Sequence, residues 1–347
     1  MYDYQPDIKK KIFLHFTVLV ILILLLILAD LNTGSLRISF KNILRLIFEK
    51  NDSSPAWITL HEFRIPRIIT ALIAGISLSV SGLQMQTIFR NPLAGPYVLG
   101  ISSGAGLGVA ITVLGFSGLF SYSVFSSGNN LILVLAAWAG AAAVMFIILL
   151  VSLRIKNIMT ILVLGIMLAS GISAIISILQ YFSRESALKA FVVWTMGSLS
   201  SVSPEQVKFL LTGFLPGILI AIFLIKPSDA ILLGENYARS MGVRIKLYRT
   251  MVFISTSILT GTVTAFCGPI GFIGIAVPHI SRMISGTSRN GILLVYSILT
   301  GSVVMLLSDI LSQLPGTDLM LPVNAITSLI GIPVVIWIIL GRKNSFN

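Results

Sequence analysis

RNPLAGPYVLGISSGAG, residues 90–106, is crowded with helix breakers and small side chains. Pro92 and Pro96 lie about one helical turn apart, and Gly95, Gly100, Gly104 and Gly106 are interleaved with Ser102 and Ser103. Long apolar runs flank the stretch on both sides. Helices in lipid gain nothing from the hydrophobic effect against one another, so close approach of small residues holds them together. Asn91 and Pro92 predict an interfacial turn, with Pro92 near a helix start, where its missing N–H costs little. Pro96 then predicts irregular backbone continuing into the membrane, which is tolerated only where protein or water covers it. Asn91, Pro92, Gly95, Pro96, Gly100 and Gly104 are thus expected to pack at the centre of a helical bundle.

The rest of the chain supplies that bundle. It has 347 residues, of which 56% are hydrophobic and 10% charged, with a mean hydropathy of +0.98. Soluble domains do not have that balance, and apolar runs long enough to span a bilayer recur from end to end. The expected fold is an all-α polytopic membrane protein, one bundle over residues 1–347, with about ten spans. The expected spans are 12–32, 66–87, 93–113, 131–152, 158–181, 206–226, 248–266, 269–285, 290–311 and 322–340. An even count puts both termini on one side. Lys9, Lys10, Lys11, Arg154, Lys226, Arg239, Arg244, Lys246, Arg282 and Arg289 share that side, which favours termini in the cytoplasm. The net charge of +12 is therefore read as topology, and no nucleic-acid partner is expected. Cys267 is the single cysteine, so no intrachain disulfide or cysteine-based metal cluster is possible. The first span follows three lysines but is too long for a signal peptide, and no small-residue cleavage site follows it.

Three segments break the pattern of spans. Residues 34–65 place Phe40, Ile43, Leu44 and Ile47 at helical spacing, which predicts an amphipathic helix on the outer surface. Residues 183–205 predict a short outer helix that ends near Gly197. Residues 227–247, PSDAILLGENYARSMGVRIKL, form the longest inner loop, with Ser228 expected as a helix N-cap and Gly234 and Gly242 as helix stops.

Several classes of function are disfavoured. Carboxylates within the spans are confined to Asp30 and Asp309 near span ends, whereas an ion-coupled secondary transporter normally needs them at mid-membrane. No nucleophile–base pair and no metal set stands at useful spacing; His15, His61 and His279 read as interfacial, with Arg282 close to His279. No GxxxxGK[ST] motif is present, so the chain cannot itself hydrolyse ATP.

Four blocks carry a resemblance. They are RIPRIITALIAGISLSVSGLQMQTIFRNPLAGPYVLGISSGAG (64–106), LLGENYARSMGV (232–243), GPIGFIGIAVPHISRMISG (268–286) and LPVNAITSLIGIPVVIWIIL (321–340). In this order they resemble the permease subunits of ABC importers for ferric siderophores, haem and cobalamin. The resemblance implies ten helices per subunit, a homodimer in the bacterial inner membrane, and a path on its two-fold axis. It also implies two cytoplasmic ATPase subunits, which hold the ATP and magnesium, and an external substrate-binding protein, periplasmic or lipid-anchored. No cofactor or metal is expected on this chain. Arg64 and Arg67 match arginines that receive the binding protein's glutamates. Gln313 stands where the family has a third arginine, Met320 where an acidic residue usually heads the LPV motif, and Asn324 where a glycine follows it.

Within that frame the loop 227–247 becomes the ATPase-coupling element. Leu232, Leu233, Ala238, Met241 and Val243 are expected in a groove of the ATPase, with Glu235, Arg239 and Arg244 as a polar rim and Gly234 and Gly242 at the reversals. The resemblance places the path along spans five and ten, with Gly165, Met167, Leu168, Ser170, Gly171 and Ser173 on span five. The inner gate is expected at Asn157, Met159 and Thr160. Ferric siderophore is the expected cargo on family frequency, with haem and cobalamin as alternatives.

Overall fold

The computed structural model describes residues 6–34, 36, 38, 42–43, 45–46, 54–115, 131–155, 157–313 and 320–341. The described residues form helices and connecting turns, with one isolated bridge between Gln313 and Met320. The helices are α1 (Pro6–Asn32), α2 (Pro55–Phe89), α3 (Ile101–Ala110), α4 (Leu131–Arg154), α5 (Ile158–Tyr181), α6 (Glu185–Thr195) and α7 (Pro204–Phe223). They continue with α8 (Ile225–Leu232), α9 (Glu235–Ser240), α10 (Ile245–Cys267), α11 (Ile273–Ser285), α12 (Asn290–Ser312) and α13 (Val323–Gly341). Seven of them (α1, α2, α4, α5, α7, α10 and α12) are long and apolar enough to cross a membrane.

The axis of the bundle is α2. The most apolar window of α2 is 83% buried inside the protein, against 6% for α1, which lies at the periphery on α12. The small residues of α2 explain this. A Cβ built on Gly82 would fall 1.8 Å from the Gly274 carbonyl oxygen of α11, and one on Gly75 would fall 2.3 Å from that of Gly301 on α12. Only hydrogen fits at such crossings, which is how helix backbones come into contact in lipid. Side-chain amides and hydroxyls add to the packing: Gln84 donates to Ser255 of α10 at 3.1 Å and accepts from Thr256 at 3.0 Å. Gly82→Val should therefore force α2 and α11 apart, at a cost of about 3 kcal/mol or more. The expected result is loss of protease-resistant protein from the membrane fraction; wild-type levels would show that the crossing is not required.

Two expected spans are shorter than their apolar runs. The segment expected as a span over 93–113 begins as a turn, with the Asn91 side chain accepting from the Leu93 N–H at 3.0 Å. A single 3₁₀ turn over Pro96–Leu99 follows, and α3 starts only at Ile101, after Gly100 at φ 73. Helical structure thus begins well beyond Pro92, because Pro96 and the left-handed Gly100 interrupt it. The irregular backbone around Pro96 is covered by protein, as expected: α5 lies over it so closely that a Cβ on Gly165 would meet the Val98 carbonyl oxygen at 2.3 Å. The expected 269–285 span is a helix of 13 residues starting at Ile273. Ahead of it, Gly268 and Phe272 both take positive φ. The two breaks support each other: the Tyr97 hydroxyl donates to the Ile270 carbonyl, and the Pro96 ring lies over Gly274. The last helix, α13, has 19 residues and lies over the expected 322–340.

Pro66 lies inside a continuous helix rather than in the first turn of one. α2 begins at Pro55, with Ser54 as its N-cap, and a π-helical segment over Thr59–Arg64 precedes the proline. A widened turn accommodates a ring with no N–H to offer and a clash with the preceding turn. Of the expected amphipathic helix over 34–65, Phe40, Leu44 and Ile47 lie outside the described residues, while Ile43 and Leu46 are buried. The helix expected within 183–205 is α6, and Gly197 beyond it has φ 76.

Candidate functional site

Two ends and one exposed face of the bundle hold the residues singled out in the sequence. At the end where α1 and α12 finish, Arg64 and Arg67 are both buried, at 3% and 6% exposure. Arg67 donates to Asp30 of α1 at 2.9 Å, and its Nε lies 3.0 Å from Asp309 of α12. Gln313 donates to the same Asp30 oxygen at 2.8 Å. Arg64 binds the Leu31 and Leu36 carbonyls, where a cation complements a helix C-terminus. The pair was expected as exposed rim charges. It is instead a clamp that joins three helices, because two carboxylates from distant parts of the chain converge on Arg67. Gln313, the residue in place of a third arginine, completes this clamp. Asn324 also has a structural partner: its side chain accepts from the Gly271 N–H at 2.9 Å and so ties the start of α13 to the break before α11.

At the opposite end, α8 and α9 build the segment expected to couple. The turns fall as expected, with Gly234 at φ 126 and Gly242 at φ 86. Ser228 does not cap a helix; α8 already begins at Ile225, and the Ser228 hydroxyl pairs with that of Tyr248 at 3.0 Å. The segment is fixed to the bundle at several points. Asp229 accepts from the backbone and side-chain N–H groups of Asn290, at 2.7 and 3.0 Å, and so holds the start of α12. Arg90 donates to the Ile231 carbonyl at 2.6 Å. Glu235 forms a close ion pair with Arg249 and lies 3.9 Å from Arg239. On this scaffold Leu232, Leu233, Tyr237 and Met241 are exposed, Leu233 at 68% and Met241 at 60%. Ala238 is fully buried and Val243 packs partly against the core, so both support the segment from beneath instead of facing outward. Asp229 and Tyr237 were missed in the sequence. The partner of Asp229 lies 61 residues away, which no local pattern reports.

The exposed face belongs to α5, whose most apolar window is only 17% buried. Met167, Ser170, Gly171 and Ser173 lie on it, and no atom comes within 4 Å of a Cβ built on Gly171. Gly165 and Leu168 turn inward: Gly165 packs on Val98, and Leu168 rests against the core. The Ser170 hydroxyl is already engaged with the Ile166 carbonyl at 3.0 Å, so the face is weakly polar. Asn157 caps α5 by accepting from the Met159 N–H at 2.9 Å, and Met159 and Thr160 are exposed beside it. On α13, Leu329, Ile332 and Trp337 are likewise exposed. Among the described residues no three His, Cys, Asp or Glu side chains are grouped to hold a metal. His61 stacks on Trp57 at 4.4 Å, and His279 meets the Trp337 ring edge-on at 6.4 Å.

The chain belongs to the FecCD transport family, whose model matches residues 21–341. It is 33% identical over 289 residues to the vitamin B12 import system permease protein BtuC of Salmonella arizonae, covering 83% of this chain and 84% of that one. It is 32% identical over 343 residues to the hemin transport system permease protein HmuU of Yersinia pestis, covering 97% of each. Among solved structures it matches a chain of an ABC transporter described as of the metal-chelate type, in an inward-facing conformation. The TM-score is 0.79 at 27% identity, over 94% of this chain and 98% of that one.

Proposed function

We propose that the chain is the membrane permease of an ATP-driven importer that carries a metal chelate inward. The observation that carries this reading is the segment α8–α9. It presents Leu232, Leu233, Tyr237 and Met241 to the outside of the bundle on a scaffold fixed to α2, α10 and α12. Exposed apolar side chains on a rigid mount mark a docking surface. With no nucleotide-binding motif in the sequence, the fitting partner is a pair of cytoplasmic ATPase subunits. A vitamin B12 import system permease and a hemin transport system permease are among the relatives, and the first supports the inward direction of transport. Ferric siderophore is the cargo we favour, with haem and cobalamin as the alternatives.

A second copy of the chain fits the bare face of α5, and the path then runs between the two copies along Met167, Ser170, Gly171 and Ser173. Small, weakly polar walls suit a bulky solute that must not bind tightly. Asn157, Met159 and Thr160 would form its inner gate. The external binding protein docks on the end holding Arg64, Arg67 and Gln313.

Orientation is tested with single cysteines and an impermeant thiol reagent on intact cells. Ser186→Cys, beside the start of α6, should label readily, and Ser240→Cys, at the end of α9, should not. The reverse pattern would overturn the proposed topology. The ligand retained by the partner binding protein on purification distinguishes the three cargoes.

A further inference from the structure

The start of α1 and the start of α12 enclose a cleft of about 320 Å³. Ile12, Phe13 and Phe16 form one wall, and Gly291, Val295 and Tyr296 form the other. The Tyr296 hydroxyl donates to the Ile12 carbonyl at 2.8 Å and fixes the two helices side by side. Phe13 is 71% exposed, so the apolar wall continues onto the outer surface of the bundle.

Charge stands at the mouth of this cleft. Lys10 begins the apolar span Lys10–Asn32 and precedes Phe13 by three residues, on the same helix face. Lys11 adjoins it, and Arg289 precedes Gly291 by two residues at the start of α12; all three side chains are exposed. An apolar slot that opens to the membrane, with cations where the span meets the headgroups, matches one class of molecule. Its acyl chain fills the slot and its headgroup carries negative charge. We propose that an anionic phospholipid occupies the α1–α12 cleft, with its chain against Phe13, Phe16 and Val295 and its headgroup at Lys10 and Lys11. The volume falls at the lower end of the range for small-molecule pockets, about 300–1,000 Å³, enough for part of one chain. A lipid in this position braces the same end of α12 that Asp229 holds against the α8–α9 segment.

The test uses the full-length permease in phosphatidylcholine nanodiscs doped with phosphatidylglycerol. Lipids retained after gentle extraction are counted by native mass spectrometry. A lysine near an anionic lipid surface contributes a factor of about five (about 1 kcal/mol), so phosphatidylglycerol should be retained several-fold over phosphatidylcholine. Lys10→Gln with Lys11→Gln should remove that preference. Val295→Trp, at a half-exposed position that tolerates bulk, should fill the cleft and lower the count by one lipid. Equal retention of the two lipids, or a preference that survives the lysine changes, would overturn the site. So would an undiminished count in Val295→Trp. Displacement of the lipid by excess inorganic phosphate would also refute it, because the headgroup charge alone would then be what is recognised.

Discussion

Arg67→Ala should lower the stability of the permease by about 3–5 kcal/mol, the usual cost of leaving a buried charge without its partner. Asp30 and Asp309 are at 0% and 1% exposure, so removal of the guanidinium strands two carboxylates that water cannot reach. In detergent this should appear as a fall of roughly 10 °C in the thermal unfolding midpoint. The pairwise logic can be checked separately. Asp309→Asn on its own should cost less, because Arg67 keeps Asp30 at 2.9 Å. Asp309→Asn in the Arg67→Ala background should restore part of the loss, since one of the two stranded charges is gone. A midpoint for Arg67→Ala within a degree or two of wild type would mean that the clamp does not hold α1, α2 and α12 together.

Gly242→Val should abolish import while the bundle stays folded. At φ 86 the backbone of Gly242 is in a region that a β-branched side chain enters only with strain of about 1–3 kcal/mol. No atom lies within 4 Å of a Cβ at that position, so the effect comes from the backbone and not from a clash. The strain is relieved by shifting the turn, which carries the exposed Met241 with it. The many contacts of α2 lie elsewhere in the bundle, so membrane insertion and thermal stability should change little. Uptake in reconstituted vesicles should fall at least tenfold, and less ATPase should co-purify. Gly242→Ala, which meets the left-handed backbone penalty without the added cost of a β-branch, should give an intermediate loss. Wild-type uptake by Gly242→Val would remove α8–α9 as the coupling element.

The parts of this fold that could be read from sequence are those written in long uninterrupted runs. α1, α4, α5, α7, α10 and α12 lie close to their expected positions because apolar length alone specifies a span. The late starts of α3 and α11 were not legible. They are set by contacts across the bundle, namely Tyr97 on Ile270 and Asn324 on Gly271, between residues far apart in the chain. Pro96 announced a break without saying how long it would last. The glycine stops at 234 and 242 were legible because a positive φ leaves a strong residue preference. The environment of Arg64 and Arg67 was not. Two arginines beside a proline look alike whether they face water or buried carboxylates, and Asp30 and Asp309 showed only as charges near the ends of other spans. Ala238 was assigned to the outward face of α9 with its neighbours, and it proved to be the contact that seats the helix.

The central claim is that transport through this chain is driven by ATP hydrolysed on partner subunits. The most direct measurement is uptake of a labelled ferric siderophore, haem or cobalamin into vesicles that contain the permease, with its ATPase and its loaded binding protein supplied separately. Uptake should require ATP and both partners, and it should be unaffected by ionophores that collapse proton and sodium gradients. Uptake that proceeds without the ATPase subunits and stops when an ion gradient is dissipated would contradict the account.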